Sequence, residues 1–292
     1  MGKKGKKALA GKPKKLTPKD VGKRLNALAK NLEEELEGAD LFAPLPPTED
    51  CAICLVPMPL SPAEGFGICY HPCCGKKICL ACYKENKESI DKQNEENSGK
   101  KIALTCPFCR EPNLTCPDKE YALLQARCLQ NDHNALTFMG SRYWTGEGGA
   151  PKDGLKALDC YIRAAELGSG KACGCIGIIY TEGNGVAIDK EKAALFERMG
   201  TLRGSIVARH SIGCSEYYDF GNHEIGIRHW KIAAEAGHQC SLNELRDIYD
   251  AYGKKPGKKF ISEEYLDFAT LACHEAQMEV TSEEREKHRF EE

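Results

Sequence analysis

Apolar residues recur at helical spacing in a short N-terminal stretch that is otherwise polar. Thr17-Pro18-Lys19-Asp20 supplies an N-cap residue, a proline at the first helical position and an acid three residues after the cap. The apolar positions that follow fall on one helix face: Val21, Leu25, Leu28, Leu32 and Leu36. The pattern predicts an amphipathic helix over about residues 18–37, with a stop near Gly38 and a proline-rich linker ending near residue 47.

A second pattern, from about residue 121 onward, repeats itself along the chain. Residues 135–143 align with residues 172–180 at an offset of 37, which places Gly140 on Gly177 and Tyr143 on Tyr180. Glycines 146 and 148 fall on glycines 183 and 185, and later positions match at an offset of 36. A third copy follows without the Gly-x-Gly turn, and a fourth is fragmentary. A period of this length predicts stacked helix pairs.

These patterns predict two folded units and charged ends. We expect residues 1–47 to form a basic disordered tail with one amphipathic helix, and residues 48–115 to form a compact unit rich in cysteine. Residues 121–276 are predicted to form an all-α repeat solenoid of helix pairs, and residues 277–292 a charged C-terminal helix or tail. A chain of 292 residues with 41% hydrophobic positions can bury such cores.

Charge changes the picture at the N-terminus. Residues 1–30 hold eleven Lys or Arg against a single acid, Asp20, although the whole chain has a net charge of −2. Such a tail is typical of a nuclear import signal, a nucleic-acid contact or solvated disorder. The first 41 residues contain no aromatic side chain on which a base could stack, which argues against nucleic acid as a partner.

Hydropathy argues against a membrane protein. No stretch approaches the roughly twenty consecutive apolar residues of a membrane span, and the lysine-rich N-terminus lacks the apolar run of a signal peptide. We therefore expect a soluble intracellular protein of the cytoplasm or the nucleus.

Cysteine supplies the candidate chemistry. Ten of the seventeen cysteines fall between Cys51 and Cys116, and three pairs have a two-residue gap: Cys51/Cys54, Cys79/Cys82 and Cys106/Cys109. With the adjacent Cys73 and Cys74 they make eight thiolates, enough for two tetrahedral Zn²⁺ ions. Zinc binding can contribute on the order of 10–16 kcal/mol, more than so small an apolar core provides. The segment is predicted to fold around metal.

This segment resembles the RING-finger family of ubiquitin ligases over about sixty residues. The resemblance rests on the motifs Cys51-Ala52-Ile53-Cys54-Leu55, Cys74-Gly75-Lys76-Lys77-Ile78-Cys79 and Cys106-Pro107-Phe108-Cys109-Arg110. It implies a small zinc-braced α+β module in which the ligands interleave, with one ion on Cys51, Cys54, Cys79 and Cys82 and the other on Cys73, Cys74, Cys106 and Cys109. The family's usual Cys-x-His pair is missing at its expected distance, so an all-cysteine variant is the closest pattern. Cys69 and His71 form an alternative Cys-x-His, and either is an alternative to Cys73 as third ligand.

The resemblance implies a ubiquitin ligase that acts without a covalent ubiquitin intermediate. Such a module docks a ubiquitin-conjugating enzyme and orients its thioester for attack by a substrate lysine. Three residues match docking positions of the family: Ile53 and Pro107 as apolar contacts, and Arg110 as the cation that bridges conjugating enzyme and ubiquitin. The main alternative is a non-catalytic zinc-braced interaction scaffold, because a fold can persist after its docking surface is lost.

The repeat resembles the Sel-one-like class of the tetratricopeptide superfamily, over about residues 133–237 and more weakly to 276. The resemblance rests on the Ala…Leu-Gly…Tyr helix, the Gly183-Asn184-Gly185-Val186 turn, the Asp189…Lys192-Ala193 start and the Ala164-Ala165…Gly168 ending. It implies a surface that binds a protein substrate or partner. His133, His210, His223, His229 and His238 are scattered along the repeats without ligand spacing, and we expect packing or surface roles for them and not metal binding.

Overall fold

The computed structural model describes residues 17–55, 57–58, 68–96, 103–112, 117–183, 186–253 and 261–278. In chain order the elements are α1 (Pro18–Leu36), β1 (Ile68–His71), β2 (Lys76–Cys79), α2 (Leu80–Glu96), α3 (Pro117–Leu129), α4 (His133–Thr145), α5 (Gly154–Glu166), α6 (Gly170–Glu182), α7 (Lys190–Leu202), α8 (Ile206–Cys214), α9 (His223–Glu235), α10 (Gln239–Ile248) and α11 (Glu263–Met278). The disorder predicted for residues 1–16, the turn residues Asn184 and Gly185, Cys116 and the tail from residue 279 lie outside the described residues.

The repeat seen in the sequence reappears in the helix caps. Asp153 caps α5 and Asp189 caps α7, and each side chain accepts a hydrogen bond from a backbone N–H three residues later. Ser169 and Ser205 cap α6 and α8 in the same way, again 36 residues apart. Because caps decide where a helix begins, equal cap spacing produces helix pairs of equal length.

The helices pair as α4/α5, α6/α7, α8/α9 and α10/α11, so the prediction of a mostly helical repeat solenoid is confirmed. One continuous core joins α1 to α3, α4, α5, α6 and α7, and a second surrounds Trp230 in α9. The first two pairs turn at a left-handed glycine, Gly146 or Gly183. In the later pairs α8 and α10 run on into π-helical turns, Ser215–Asp219 and Tyr249–Gly253. The third copy, whose sequence lacks the Gly-x-Gly turn, therefore has a π-helical turn where the first two copies have a left-handed glycine.

The predicted N-terminal helix forms as α1, and it packs on the repeats. Its apolar face, built on Val21, Leu25 and Leu32, is buried in the same core as α5 and α7. Ion pairs flank this face. Arg24 pairs with Asp159 and Glu166 of α5, while Arg203, which follows α7, pairs with Glu35 at 2.8 Å. The sequence predicted the helix, and the structure adds its packing partner.

The segment after α1 continues along the repeats to α9. Arg209 Nη1 of α8 donates a 2.9 Å hydrogen bond to the carbonyl oxygen of Leu41. The ring of Phe42 lies 4.6 Å from the ring of His229 and 3.8 Å beneath the guanidinium of Arg228. Pro46 lies against Gly204, where a Cβ atom would come within 2.5 Å of the proline ring. Residues 18–46 therefore form a strap across α5 to α9.

Helix α7 packs closely against its neighbours at Gly200. A Cβ atom at this position would lie 2.6 Å from the Cβ of Ala208 and 2.9 Å from the carbonyl oxygen of Gly170. Gly200→Ala is expected to lower the free energy of unfolding by about 1–3 kcal/mol, because backbone atoms cannot move aside. Urea denaturation measures the effect.

Gly22 of α1 provides the matched control for this substitution. A Cβ atom there would meet nothing within 4 Å. Gly22→Ala is expected to stabilise the protein by about 0.5–1 kcal/mol, since alanine restricts the unfolded chain more than glycine does. Equal stability of the two variants would contradict the close approach of α7 to its neighbours.

A two-stranded antiparallel sheet lies in the segment rich in cysteine. β1 pairs with β2 in the register Ile68 with Cys79 and His71 with Lys76, and α2 begins directly after β2. The polar stretch from Glu85 is helical, and α2 continues through it to Glu96. Within the described chain, no helix has the length and apolar character needed to cross a membrane.

Candidate metal centre

Two of the cysteine pairs form turns of the same geometry. In the first turn, the N–H of Leu55 donates to the carbonyl oxygen of Cys51 at 2.9 Å. In the second turn, the N–H of Arg110 donates to the carbonyl oxygen of Cys106, also at 2.9 Å. Leu55 and Arg110 both have the left-handed backbone, with φ of 59° and 57°. Each turn is closed by an antiparallel bridge, Asp50 with Pro57 and Thr105 with Pro112. Such turns point two thiols at one place.

The first cluster joins the turn at Cys51 to the end of the sheet. Cys79 is the last residue of β2, and Cys82 lies in the first turn of α2. Their sulfur atoms and those of Cys51 and Cys54 all lie within 4.8 Å of one another. The N–H of Cys79 donates to Cys51 Sγ at 3.3 Å. A backbone N–H that donates to sulfur stabilises the thiolate form, which is the form that binds metal.

The second cluster joins the turn at Cys106 to the loop between the strands. Cys73 and Cys74 lie in this loop, which is tightened by a 2.7 Å hydrogen bond from the N–H of Gly75 to the carbonyl oxygen of His71. Their sulfur atoms and those of Cys106 and Cys109 all lie within 4.8 Å of one another. The two clusters therefore interleave: the first and third cysteine pairs meet, and so do the second and fourth.

The sulfur spacing fits tetrahedral zinc. Cys54 Sγ lies 3.9 Å from Cys79 Sγ, and Cys74 Sγ lies 3.7 Å from Cys106 Sγ. A tetrahedron with Zn–S bonds of about 2.3 Å has sulfur atoms roughly 3.8 Å apart, whereas a disulfide holds them at about 2.05 Å. The eight thiols are thus spaced for two metal ions, and both clusters can hold one.

The electrostatics of the clusters also favour a cation. Hydrogen bonds from Cys79 and Cys82 lower the pKa of the Cys51 thiol, and the bond to Cys51 raises the pKa of Cys82. In the second cluster burial and hydrogen bonds to Cys109 and Cys106 raise the pKa of Cys73. Without a cation, only some of these sulfur atoms can be thiolates while the others keep their protons. A bound dication releases those protons, so that all four bind it as thiolates.

The two alternative ligands, Cys69 and His71, lie in β1 and not in either cluster. Cys69 pairs with Ile78 across the sheet, and burial raises the pKa of its thiol to about 11. The His71 ring packs edge-on to Phe108 with 6.3 Å between ring centroids. In this geometry Cys73, and neither alternative, completes the second group of four.

The repeats hold the loop of the second cluster directly. Arg127 of α3 donates from Nε to the carbonyl oxygen of Pro72 and from Nη2 to that of Cys73, both at 3.3 Å. The hydroxyl of Tyr70 donates to Asp132 Oδ2 at 2.6 Å, and its ring stacks on Phe138 of α4. The sequence showed no sign of this contact between the two units.

The three residues predicted to dock a conjugating enzyme lie on the two cysteine turns. Ile53 and Pro107 are half-buried, and Arg110 is exposed. Leu55, which the sequence did not single out, is 67% exposed directly after Cys54. The left-handed backbone that it shares with Arg110 places the residue after each turn in a corresponding position.

A third group of ligand-type side chains lies in the repeats: His210, Cys214 and Glu244. His210 was expected to have a packing or surface role, so this group was not predicted from the sequence. Its signal was the His-x-x-x-Cys spacing in α8, which puts both side chains on one helix face.

The family match to known proteins lies within the helical repeats. The Sel1 repeat family matches residues 133–169 and 212–238, and the match does not extend to the cysteine turns. A search of the curated proteins found no match.

Among solved structures, a Sel1 repeat protein from Oxalobacter formigenes is 27% identical, with a TM-score of 0.46, over 65% of this chain and 78% of its own. A protective antigen of uropathogenic Escherichia coli with an SLR fold is 24% identical, with a TM-score of 0.42, over 57% of this chain and 33% of its own. The family match over residues 133–169 and 212–238 agrees with the Sel-one-like repeat that the sequence led us to expect.

Proposed function

We propose that this protein is a zinc-binding ubiquitin ligase of the RING type, and that its helical repeats recruit a protein substrate or partner. The observation that carries the proposal is the interleaving of the cysteine pairs. Four pairs that lie in sequence order combine as first with third and second with fourth. Interleaved ligands tie distant parts of the chain together, so two Zn²⁺ ions would turn the cysteine turns into one rigid platform.

The surface of that platform suits a docking role. The first turn presents Ile53 and the exposed Leu55, and the second presents Pro107 and the exposed Arg110. An apolar patch next to one arginine is a common composition for the energetic centre of a protein interface. A conjugating enzyme would contact the apolar residues, and Arg110 would face the ubiquitin it carries.

The mechanism we propose is positioning. The eight cysteines in the clusters would serve as metal thiolates, which leaves them no role as ubiquitin acceptors. Catalysis would come from holding the thioester in one orientation, which raises the effective concentration of the attacking lysine. Conjugating enzymes and ubiquitin are intracellular, so the proposed activity belongs to the cytoplasm or the nucleus.

The repeats would bind the protein substrate or partner. Sel1 repeats suggest protein interaction, and several large apolar side chains of the repeats remain exposed: Phe138, Leu167, Ile188, Val207, Tyr218 and Ile225. Arg127 joins α3 to the loop of the second cluster, so a substrate on the repeats would sit on a body continuous with the platform.

Ubiquitin discharge tests the proposal. The full chain is expected to accelerate transfer of ubiquitin from a charged conjugating enzyme to free lysine. Arg110→Ala is expected to slow this discharge roughly tenfold, which corresponds to about 1.4 kcal/mol of lost stabilisation. Lys92→Ala, which removes an exposed cation from α2, is the matched control and should leave the rate unchanged.

The ligase proposal would be overturned if the full chain accelerated ubiquitin discharge from none of a panel of conjugating enzymes. Retained zinc together with unchanged discharge would favour the alternative, a non-catalytic zinc-braced scaffold. The variants must keep the zinc content of the wild type, so that loss of activity is not confused with loss of the platform.

A further inference from the structure

Helices α8 and α10 bring three metal-binding side chains together far along the chain from the cysteine turns. His210 and Cys214 come from α8 and Glu244 from α10, and one donor atom of each lies within 4.8 Å of the others. We propose that His210, Cys214 and Glu244 form a third metal site, which binds Zn²⁺ or a divalent transition metal of similar preference. Histidine nitrogen, cysteine sulfur and carboxylate oxygen each bind zinc in proteins, and zinc sites with three protein ligands are common.

The two donors on α8 already have the spacing of bound ligands. His210 and Cys214 are four residues apart, so their side chains lie one above the other on the helix. Cys214 Sγ lies 3.6 Å from His210 Nε2. Zinc bonds of about 2.3 Å to sulfur and about 2.05 Å to nitrogen at the tetrahedral angle put these atoms roughly 3.6 Å apart. An ion could bind both without a change of rotamer.

Hydrogen bonds to the other nitrogen of His210 orient its ring for this role. The N–H of Ser241 donates to His238 Nδ1 at 3.2 Å, so that nitrogen carries no proton. The Ser241 hydroxyl lies 3.0 Å from His238 Nδ1 and 2.9 Å from His210 Nδ1. In the tautomer that binds metal, His210 Nδ1–H donates to the Ser241 oxygen. His210 Nε2 is then unprotonated and lies 3.6 Å from Cys214 Sγ.

A ligand histidine typically has its other nitrogen bound in this way. The carboxylate of Glu244 is also oriented, because the Tyr218 hydroxyl donates to Glu244 Oε2 at 2.7 Å. Two of the three candidate ligands thus have an outer hydrogen-bond partner, the arrangement that holds a metal site in shape before the ion arrives.

A nucleophilic role for Cys214 is the competing interpretation, and the surroundings disfavour it. Burial, with a further contribution from the negative charge of Glu244, raises the pKa of the Cys214 thiol to about 12. An activated thiol needs a lowered pKa. The negative charge of Glu244 disfavours a Cys214 thiolate in the absence of metal. When a dication lies between Glu244 and Cys214, both negative groups are stabilised by it.

The site would link consecutive repeats. α8 and α10 are the first helices of neighbouring pairs, both packed on α9, and both end in a π-helical turn where the earlier pairs have a left-handed glycine. A metal ion would brace this irregular part of the solenoid. Three protein donors leave a fourth coordination position for water or for a donor of a bound partner.

Counting zinc in the full chain tests the site. Native mass spectrometry in the presence of Zn²⁺, with a competing chelator to measure affinity, is expected to find one ion fewer in Cys214→Ser and in His210→Ala than in the wild type. Cys240→Ser, which alters an exposed cysteine of α10 outside the group, is the matched control and should keep the full number. Ser241→Ala is expected to lower the affinity for this one ion by about 10–100-fold, because it removes the hydroxyl that is hydrogen-bonded to His210 Nδ1.

The difference of one ion does not depend on the cysteine turns, so the test stands whatever their zinc content. Circular dichroism in chelator must show the wild-type fold for each variant. Should Cys214→Ser fail this control, Glu244→Gln replaces it, since Glu244 is half-exposed and its replacement leaves α8 intact. Identical zinc number and affinity in the wild type and in the folded ligand variants would overturn the site.

Discussion

Cys79→Ser is expected to release at least one zinc ion and to unfold the segment around the cysteine turns. Cys79 is fully buried, is the last residue of β2, and belongs to the first group of four sulfur atoms. Structural zinc sites contribute on the order of 10 kcal/mol to folding. Among the described residues the apolar core here is small, with Met58 and Ile78 as its buried members besides the cysteines. It cannot hold the segment without the ion.

Hydrogen exchange followed by mass spectrometry measures this loss region by region. In Cys79→Ser we expect fast exchange in β1, β2 and the first turns of α2, with α9 to α11 protected as in the wild type. The loop held by Arg127 should lose protection too, because its geometry depends on the second cluster and the sheet. Elemental analysis gives the accompanying zinc content.

Cys69→Ser is the matched control for this experiment. Cys69 lies in the same sheet, in β1, and outside both groups of four. It is expected to keep the wild-type zinc content and protection, and its half-buried position limits any loss of stability. A loss of zinc in Cys69→Ser equal to that in Cys79→Ser would assign a ligand role to Cys69, and wild-type behaviour of Cys79→Ser would contradict the metal centre.

Leu25→Ala is expected to lower the free energy of unfolding of the repeats by about 2–5 kcal/mol, the usual cost of a cavity in a packed core. Leu25 is 1% exposed and lies in the core that α1 shares with α5 and α7. The ion pairs of Arg24 and Arg203 flank this face and are partly exposed, so they contribute much less than the apolar contact.

Urea denaturation of the full chain measures the change, and limited proteolysis within α1 reports local detachment. Asn26→Ala, next to Leu25 on the exposed side of the same helix, is the control and should change stability by less than about 0.5 kcal/mol. If Leu25→Ala were equally neutral, α1 would not be part of the repeat core.

The cysteine turns and the repeats are parts of one connected body, and this bears on how a ligase would use them. The strap of residues 18–46 crosses α5 to α9, and the cysteine segment that follows it returns to α3 and α4 through Tyr70 and Arg127. A substrate bound to the repeats would therefore be held at a defined distance from the docking surface. Fixed geometry of this kind favours transfer to particular lysines.

The sequence by itself determined the features that depend on near neighbours along the chain. Thr17-Pro18 started α1, aspartates and serines 36 residues apart started the repeat helices, and two-residue gaps marked the cysteine turns. Caps and chelating turns are local chemistry, set within one helical turn. For that reason they could be read without coordinates.

Only the tertiary structure decided which distant groups meet. The packing of α1 on α5 and α7, the hold of Arg127 on the Cys73 loop, and the approach of Glu244 to His210 and Cys214 join residues 30 to 170 positions apart along the chain. An apolar helix face shows that a partner exists but not which one, and a carboxylate on a surface helix has no signature as a ligand. Such contacts are set by how helices stack, and stacking depends on the shape of the whole core.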